Sequence, residues 1–336
     1  MKYNKMIILG IETSCDETSV SIVENGKKIL NTIVASQTDI HSKFGGVVPE
    51  IAARKHAELI IPLIDSAIKN SGTGLDKIDA VAVTSEPGLI GALLVGVSAA
   101  KAIAYSLKKP LIPVNHILAH LYAANLEYEI NYPVIGLIVS GGHTLLVKSE
   151  KYNSFDVIGT TLDDAVGESF DKTAKMLDLP YPGGPVIEKL ALTGNPEKIN
   201  FPKPMINEDN FNFSFSGLKT AVLYYIKKNE NDFNAADVCA SFQKSAFDVL
   251  LNKTLRASEK FGIQNVIVGG GVAANRTLKK NFESEFSRID RKVFFPSIGL
   301  CADNAAMVAG VAYHLLEDKS FNLELNPSAR IKFCAL

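Results

Sequence analysis

The chain lacks long hydrophobic runs. Its longest uncharged apolar stretch, Pro87 to Ala100, is 14 residues and ends at Lys101, short of the roughly 20 that cross a bilayer as a helix. The apolar run after Lys5 stops at Glu12, so neither a secretory leader nor a membrane association is expected. Paired cysteines are missing too. Cys15, Cys239, Cys301 and Cys334 are scattered without a CxxC spacing, which excludes a zinc knuckle and a disulfide framework. Charge of one sign is also lacking, with 35 Lys+Arg against 36 Asp+Glu. No global field draws a polyanion, and a nucleic-acid partner must meet a local patch or help from other subunits. A reduced, cytoplasmic protein is the expectation. What is present is an ordinary globular composition over 336 residues, 47% hydrophobic and 21% charged, enough for two domains that each bury a core.

Strand and helix signals come in one order twice. In the first half, β-like runs at Met6–Ile11, Ser19–Glu24 and Lys28–Ser36 are joined by a small-polar turn and by Asn25-Gly26, a hairpin signal. A helix pattern starts at Pro49, where a first turn tolerates proline, and runs to Asn70. A strand (Ile78–Val83), a helix (Leu89–Leu107), a strand (Leu111–Val114) and a helix from His116 follow. The second half has strands at Val134–Ser140, Thr144–Ser149 and Ser154–Gly159, then a helix at Ala235–Phe261 and a strand at Asn265–Val268. It continues with a helix after Gly269-Gly270-Gly271, a strand at Lys292–Phe295 and a helix from Leu300. Both halves read βββαβαβα. This is the plan of the α/β superfold shared by actin, heat-shock chaperones and sugar kinases, whose two domains close over a nucleotide. The expected domains are 1–128 and 129–336, with a helical insertion at about 161–231 in the second and the C-terminal helix packing back on the first. Asn195–Asn212, rich in Pro, Asn and Phe, is expected as a surface or lid segment of the insertion.

Small residues directly after strands point to a phosphate. They stand at Ile11-Glu12-Thr13-Ser14, Ser140-Gly141-Gly142-His143-Thr144 and Gly269-Gly270-Gly271-Val272-Ala273. There, backbone N–H groups approach an anion and a following helix adds its positive end. One such turn is usually only a turn; a set of them where this superfold holds its nucleotide is a signal. Gly183-Gly184, after Tyr181-Pro182, is a further candidate for close approach, its plain reading being a loop break before a helix at Val186–Thr193.

His116 and His120 stand four apart at a helix start, so both rings share a face. Such a pair alone is more often two partly buried histidines than a metal site. The repeat changes that balance, because the equivalent helix of the second half begins at Leu300-Cys301-Ala302-Asp303-Asn304. In a pseudo-twofold fold the matching helix starts face each other, which lets Asp303 approach the pair as a candidate third ligand. Two imidazoles and a carboxylate leave coordination positions open and suit Zn2+ or Fe2+. A metallopeptidase would need HExxH, yet Ile117 stands where its glutamate belongs. A sugar or acetate kinase would need an acceptor base and carboxylates for Mg2+; the Ser140–Thr144 loop has none, leaving Glu12 and Asp16.

Further motifs run along nearly the whole chain. They are Gly10-Ile11-Glu12-Thr13-Ser14-Cys15-Asp16, Gly45-Gly46-Val47-Val48-Pro49-Glu50 with Arg54 and His56, Pro87-Gly88-Leu89, Asn115-His116 with His120, and Val139-Ser140-Gly141-Gly142-His143-Thr144. Beyond these lie Asp163-Asp164, Gly167-Glu168, Asp171-Lys172, Tyr181-Pro182-Gly183-Gly184-Pro185, Phe213–Lys219, Gly270-Gly271-Val272 with Asn275-Arg276, and Cys301-Ala302-Asp303-Asn304. Together they resemble the bacterial tRNA N6-adenosine threonylcarbamoyltransferases, a family formerly labelled glycoproteases.

The resemblance implies an enzyme that moves threonylcarbamoyl from threonylcarbamoyl-AMP to N6 of adenosine 37 in tRNAs reading codons that begin with A, releasing AMP. It implies one divalent ion on His116, His120 and Asp303, iron(II) ahead of zinc(II), and the adenylate on Ile138, Val139, Ser140, Gly141, Gly142, Asp171, Gly184, Glu188 and Asn275. Glu12 and Asp16 are candidates for the catalytic base. The implied partners are tRNA, a smaller protein of the same superfold and a P-loop ATPase. Arg54, Lys55, Lys172, Lys175, Lys219 and Arg276 are the basic side chains available for RNA. Departures from the family pattern are Glu86 before Pro87-Gly88, Ala119 before the second histidine, and Glu188 in place of Asp. A metal-dependent peptidase and a nucleotide-gated, non-catalytic scaffold are the alternatives.

Overall fold

Ile7–Glu12 (β1) carries no alternation and is buried along its whole length, as befits a strand covered on both faces. In this computed structural model, which describes residues 5–229, 232–316 and 323–330, β1 is the centre of a five-stranded sheet. Glu17–Glu24 (β2) runs antiparallel to it, and Lys28–Ser36 (β3) antiparallel to β2. Asn25 and Gly26 take φ of 53° and 71°, the paired left-handed residues of a tight hairpin turn. Ala80–Glu86 (β4) and Leu111–Asn115 (β5) add parallel strands, giving the order β3-β2-β1-β4-β5. Between strands lie Thr38–His41 (α1), Pro49–Ser71 (α2), Ile90–Leu107 (α3) and His116–Tyr122 (α4). Ile60, Ile64, Val97 and Ala100 of α2 and α3 close one core with Leu9, Ile11, Val20 and Val81. The last described helix, Ala305–Leu315 (α11 in chain order), lies on the opposite face. A Cβ at Gly10 would meet its Ala305 carbonyl at 2.5 Å and Ala309 Cβ at 2.8 Å, so glycine on the strand and alanine on the helix permit the close approach.

The second sheet repeats the order. Val134–Val139 (β6) is its buried centre, flanked by Thr144–Lys151 (β7), Ser154–Thr160 (β8), Asn265–Gly269 (β9) and Lys292–Phe294 (β10) as β8-β7-β6-β9-β10. Again the first hairpin is antiparallel and the later strands parallel. Val166–Met176 (α5), Gly183–Ala191 (α6), Ser216–Asn229 (α7), Ala235–Lys260 (α8), Arg276–Arg288 (α9) and Ile298–Cys301 (α10) surround it. By contacts the chain divides into two compact units. Residues up to 129, 152–154 and from 303 form the first, and 130–151 with 155–302 form the second. The matching strand orders carry the actin-like architecture.

Four differences from the sequence reading have physical causes. The stretch read as a helix from Leu300 is two pieces, α10 and α11, because Ala302 is extended and the Asn304 side chain caps α11 at Met307 N–H. Gly183 and Gly184 form the first turn of α6 rather than a break before it. Asn195–Asn212 is a strap held to α8, not a loose lid. Lys253 Nζ donates to Asn210 O (2.7 Å), Arg256 Nη1 to Glu208 O (2.8 Å), and Ile199 N–H donates to Ser241 Oγ (3.2 Å). Phe201 and Phe211 of the strap are buried. Finally, α3 is by length and composition apolar enough to cross a membrane, with mean hydropathy 1.7, despite its Lys101. It buries Ala92, Leu93, Gly96, Val97, Ala100 and Ala104 within the first unit. Cys334 and Asn231, the last residue of the expected insertion, lie outside the described residues.

Candidate metal and nucleotide sites

In the first unit, β5 ends at Asn115, whose side chain accepts from Ile117 N–H (2.9 Å) and Leu118 N–H (3.2 Å). This cap starts α4 and fixes where His116 and His120 emerge. Asp303 comes from the break between α10 and α11. Its Oδ1 is 3.0 Å from His120 Nε2 and 3.5 Å from His116 Nε2. One nitrogen of each ring and one carboxylate oxygen lie within 4.8 Å of one another. The two rings cross nearly at right angles, 78° apart. Donor chemistry, spacing and burial all fit a divalent ion. Ile117 is fully buried.

Glu12, at the end of β1, sits behind His116. Its Oε1 accepts from Ser14 N–H (2.5 Å) and its Oε2 from Thr84 Oγ1 (2.5 Å), and Oε2 lies 3.2 Å from His116 Nδ1. Burial alone would raise its pKa, but the charge of His116 and the bonds from His116 and Thr84 bring it below the usual carboxylate value. Burial pulls His116 down, yet Asp303 and Glu12 together push it up to about 9. His120 moves the other way, lowered by burial and by the charge of His116. Glu17, which sequence reasoning passed over, is pushed up to about 9 by burial, by the charges of Asp303 and Asp16, and by a hydrogen bond to Asp16. It is a protonated acid at neutral pH. His56, fully buried on α2, ties this segment down through Cys15 O (2.9 Å) and Thr18 Oγ1 (2.8 Å). Nothing in strand periodicity signals Glu17 or His56; both follow from tertiary packing. Glu86 is held by the α4 cap, accepting from Asn115 Nδ2 at 3.5 Å, and Ala119 is fully buried in α4.

In the second unit, contacts between loops close a ring. A Cβ at Gly270, whose φ is +94°, would strike Val139 O, which only glycine avoids. Gly167 of α5 comes as close to the Ser140–Gly141 turn, 2.6 Å from Ser140 O to its added Cβ. Asp171, one turn further on α5, accepts from Gly183 N–H (2.7 Å), and Glu188 of α6 accepts from Arg276 N–H (2.8 Å). The extra methylene of Glu188 reaches that amide. Asn275 caps α9 through Thr277 N–H and Leu278 N–H (2.9 and 3.0 Å) and donates to Gln243 Oε1 (2.8 Å). The sequence-predicted residues Ser140, Gly141, Asp171, Gly184, Glu188 and Asn275 thus fall on segments tied one to the next. Ile138 and Val139 are fully buried in β6 and offer a ligand only backbone. Within this frame, Cβ atoms added at Gly141, Gly142, Gly184 or Gly271 would meet nothing within 4 Å. Gly184 therefore carries no backbone strain; the crowded glycine is Gly183.

Of the basic side chains proposed for RNA, Lys172 and Lys219 both bind Asp164 (2.7 and 2.6 Å), and Lys55 pairs with Glu58 (2.8 Å). Asp163 holds the start of α7, accepting from Phe215 N–H (2.8 Å) and Ser216 N–H (3.2 Å).

Solved structures share the fold. A component of (R)-2-hydroxyglutaryl-CoA dehydratase from Acidaminococcus fermentans superposes with a TM-score of 0.57 at 14% identity, over 93% of this chain and 100% of that one. HypF, solved in a phosphate- and nucleotide-bound form, gives 0.64 at 15% identity over 94% of this chain and 47% of its own. Sequence relatives are much nearer. A tRNA N6-adenosine threonylcarbamoyltransferase of Brachyspira hyodysenteriae is 50% identical over 94% of this chain and 93% of its own length. One from Clostridium perfringens is 48% identical over 98% of both. The sequence profile of that family matches residues 28–310. The chain belongs to the tRNA N6-adenosine threonylcarbamoyltransferase family.

Proposed function

We propose that the second unit binds threonylcarbamoyl-AMP within its ring of segments, and that the first binds one divalent ion on His116, His120 and Asp303, iron(II) ahead of zinc(II). The acceptor is N6 of adenosine 37 in tRNAs reading codons that begin with A. Family membership supports the reaction class. The observation that carries the donor site is the open space at Gly141, Gly142, Gly184 and Gly271 inside a frame otherwise locked by Gly167, Gly183 and Gly270.

In the transfer, N6 bonds to the carbamoyl carbon, the bond from that carbon to the phosphate oxygen breaks, AMP leaves with the electron pair, and the proton lost by N6 passes to water. Amides of the Ser140–Gly142 turn stabilise charge on the departing phosphate, and the carboxylates of Asp171 and Glu188 accept from ribose hydroxyls. A bound divalent ion supplies charge neutralisation. With a net charge of −1 and Lys172 and Lys219 paired with Asp164 and Glu168, the chain needs partners to hold tRNA. A smaller protein of the same superfold and a P-loop ATPase fill that role, in the cytoplasm. The test supplies threonylcarbamoyl-AMP and unmodified tRNA, with and without these partners, and looks for threonylcarbamoyladenosine by nucleoside mass spectrometry. Product in neither case sinks the reading.

A further inference from the structure

We infer that Glu12 is a positioning residue for His116 rather than the base that takes the N6 proton, an inference that rests on reading His116, His120 and Asp303 as metal ligands. Glu12 is fully buried. Its carboxylate is anchored from separate elements: Ser14 N–H just beyond β1 and Thr84 Oγ1 on β4, each at 2.5 Å. What remains of its accepting capacity faces His116 Nδ1 at 3.2 Å. An ionised carboxylate brings no proton of its own, so it holds the imidazole proton on Nδ1 and leaves the Nε2 lone pair for a cation. Ser14 Oγ, also 3.2 Å from Nδ1, takes either role and does not decide the tautomer. The same contact fixes the ring rotation that points Nε2 at Asp303.

His120 shows what the arrangement does without such a group. It is equally buried, but its Nδ1 has no hydrogen-bond partner among the described residues, so apart from the Nε2 contact with Asp303 (3.0 Å) packing sets that ring. The two ligands are inequivalent: His116 is oriented by charge and His120 by shape. Thr84 is part of the device, because its hydroxyl keeps Glu12 Oε2 from swinging away from the ring.

The test measures Zn2+ affinity of the full chain by competition with a chromophoric chelator, alongside ring 15N shifts of labelled histidine. Glu12→Gln keeps the volume but presents an amide N–H where an acceptor stood. It is expected to weaken Zn2+ roughly ten- to a hundred-fold, and Glu12→Asp, an acceptor set one methylene back, is expected to lose less. In the zinc-loaded parent, His116 carries its proton on Nδ1. Parent-like affinity in Glu12→Gln overturns the inference. So does a His116 protonated on Nε2 in the parent, a readout that stands even if the variant fails to fold. A Glu12→Gln protein with unchanged affinity and lost transfer at saturating metal would make Glu12 a base after all. Asp303→Ala separates the two readings: if it too binds Zn2+ like the parent, the metal site is wrong.

Discussion

A Cβ added at Gly183 would press on Ala174 Cβ at 2.6 Å and Asp171 Cα at 2.8 Å, whereas one at Gly184 meets nothing within 4 Å. The neighbours therefore answer different questions. Gly183→Val is expected to lower stability by about 1–3 kcal/mol through overpacking, seen in thermal unfolding. Gly184→Val should unfold like the parent yet bind a non-hydrolysable threonylcarbamoyl-AMP analogue roughly ten- to a hundred-fold more weakly, seen by calorimetric titration. Parent-like binding would move the adenylate elsewhere. Titration gives a second residue-scale outcome. His116, raised from 6.5 to about 9, adds stability below pH 6.5 that is lost as pH climbs through 9. Glu17, raised from 4.5 to about 9, must stay protonated in a fold whose unfolded chain ionises above 4.5, so its cost grows over the same climb. Metal-free protein should lose stability between pH 6.5 and 9, and Glu17→Gln should remove part of that loss. Chemical denaturation in chelator across this range decides it, and a flat profile would contradict the assignment. Metal affinity should run the other way. Because a cation must displace a proton from His116, Zn2+ should bind more tightly as pH rises toward 9.

At the scale of elements, the short helix α4 depends on Asn115, which caps it through Ile117 N–H and Leu118 N–H. Asn115→Ala should cost about 1 kcal/mol and, by loosening the turn that carries His116, weaken Zn2+ while leaving adenylate affinity in the second unit unchanged. Loss of both together would mean general unfolding. Elements also show where the sequence is legible. Asn25-Gly26, Pro49 and the glycine turns are local signals: the hairpin and α2 sit where those residues require, and the Ser140–Gly142 and Gly269–Gly271 turns stand at the ends of β6 and β9. The clustering of His116, His120 and Asp303 is legible too, because the two histidines share a helix face and the repeat brings in Asp303. The break at Ala302–Asn304 was not, since its helix-breaking element is a cap that matters only once Asp303 has to turn toward α4. The strap 195–212, expected as a surface or lid segment, is a surface segment whose anchoring is not legible for a related reason. Its polar composition looks solvated, but its carbonyls are taken by Lys253 and Arg256 of α8, a pairing across more than forty residues that no local pattern announces. Glu12 was legible as a chemically important carboxylate, while its place behind His116 was set by β4 and α4 together.

Over the whole molecule, each unit is built on its own copy of a five-stranded sheet with a single strand order. The first gathers imidazoles and carboxylates; the second gathers open glycines and helix starts. Family membership joins them in one reaction on tRNA. The most direct measurement uses threonylcarbamoyl-AMP labelled with 13C at the carbamoyl carbon, given with unmodified tRNA to the metal-loaded protein and its partner proteins. The account predicts that the heavy carbon appears in threonylcarbamoyladenosine, one label for each AMP released, and that neither is formed when Asp303→Ala replaces the parent. AMP released without labelled nucleoside, or label transferred undiminished by Asp303→Ala, would contradict it.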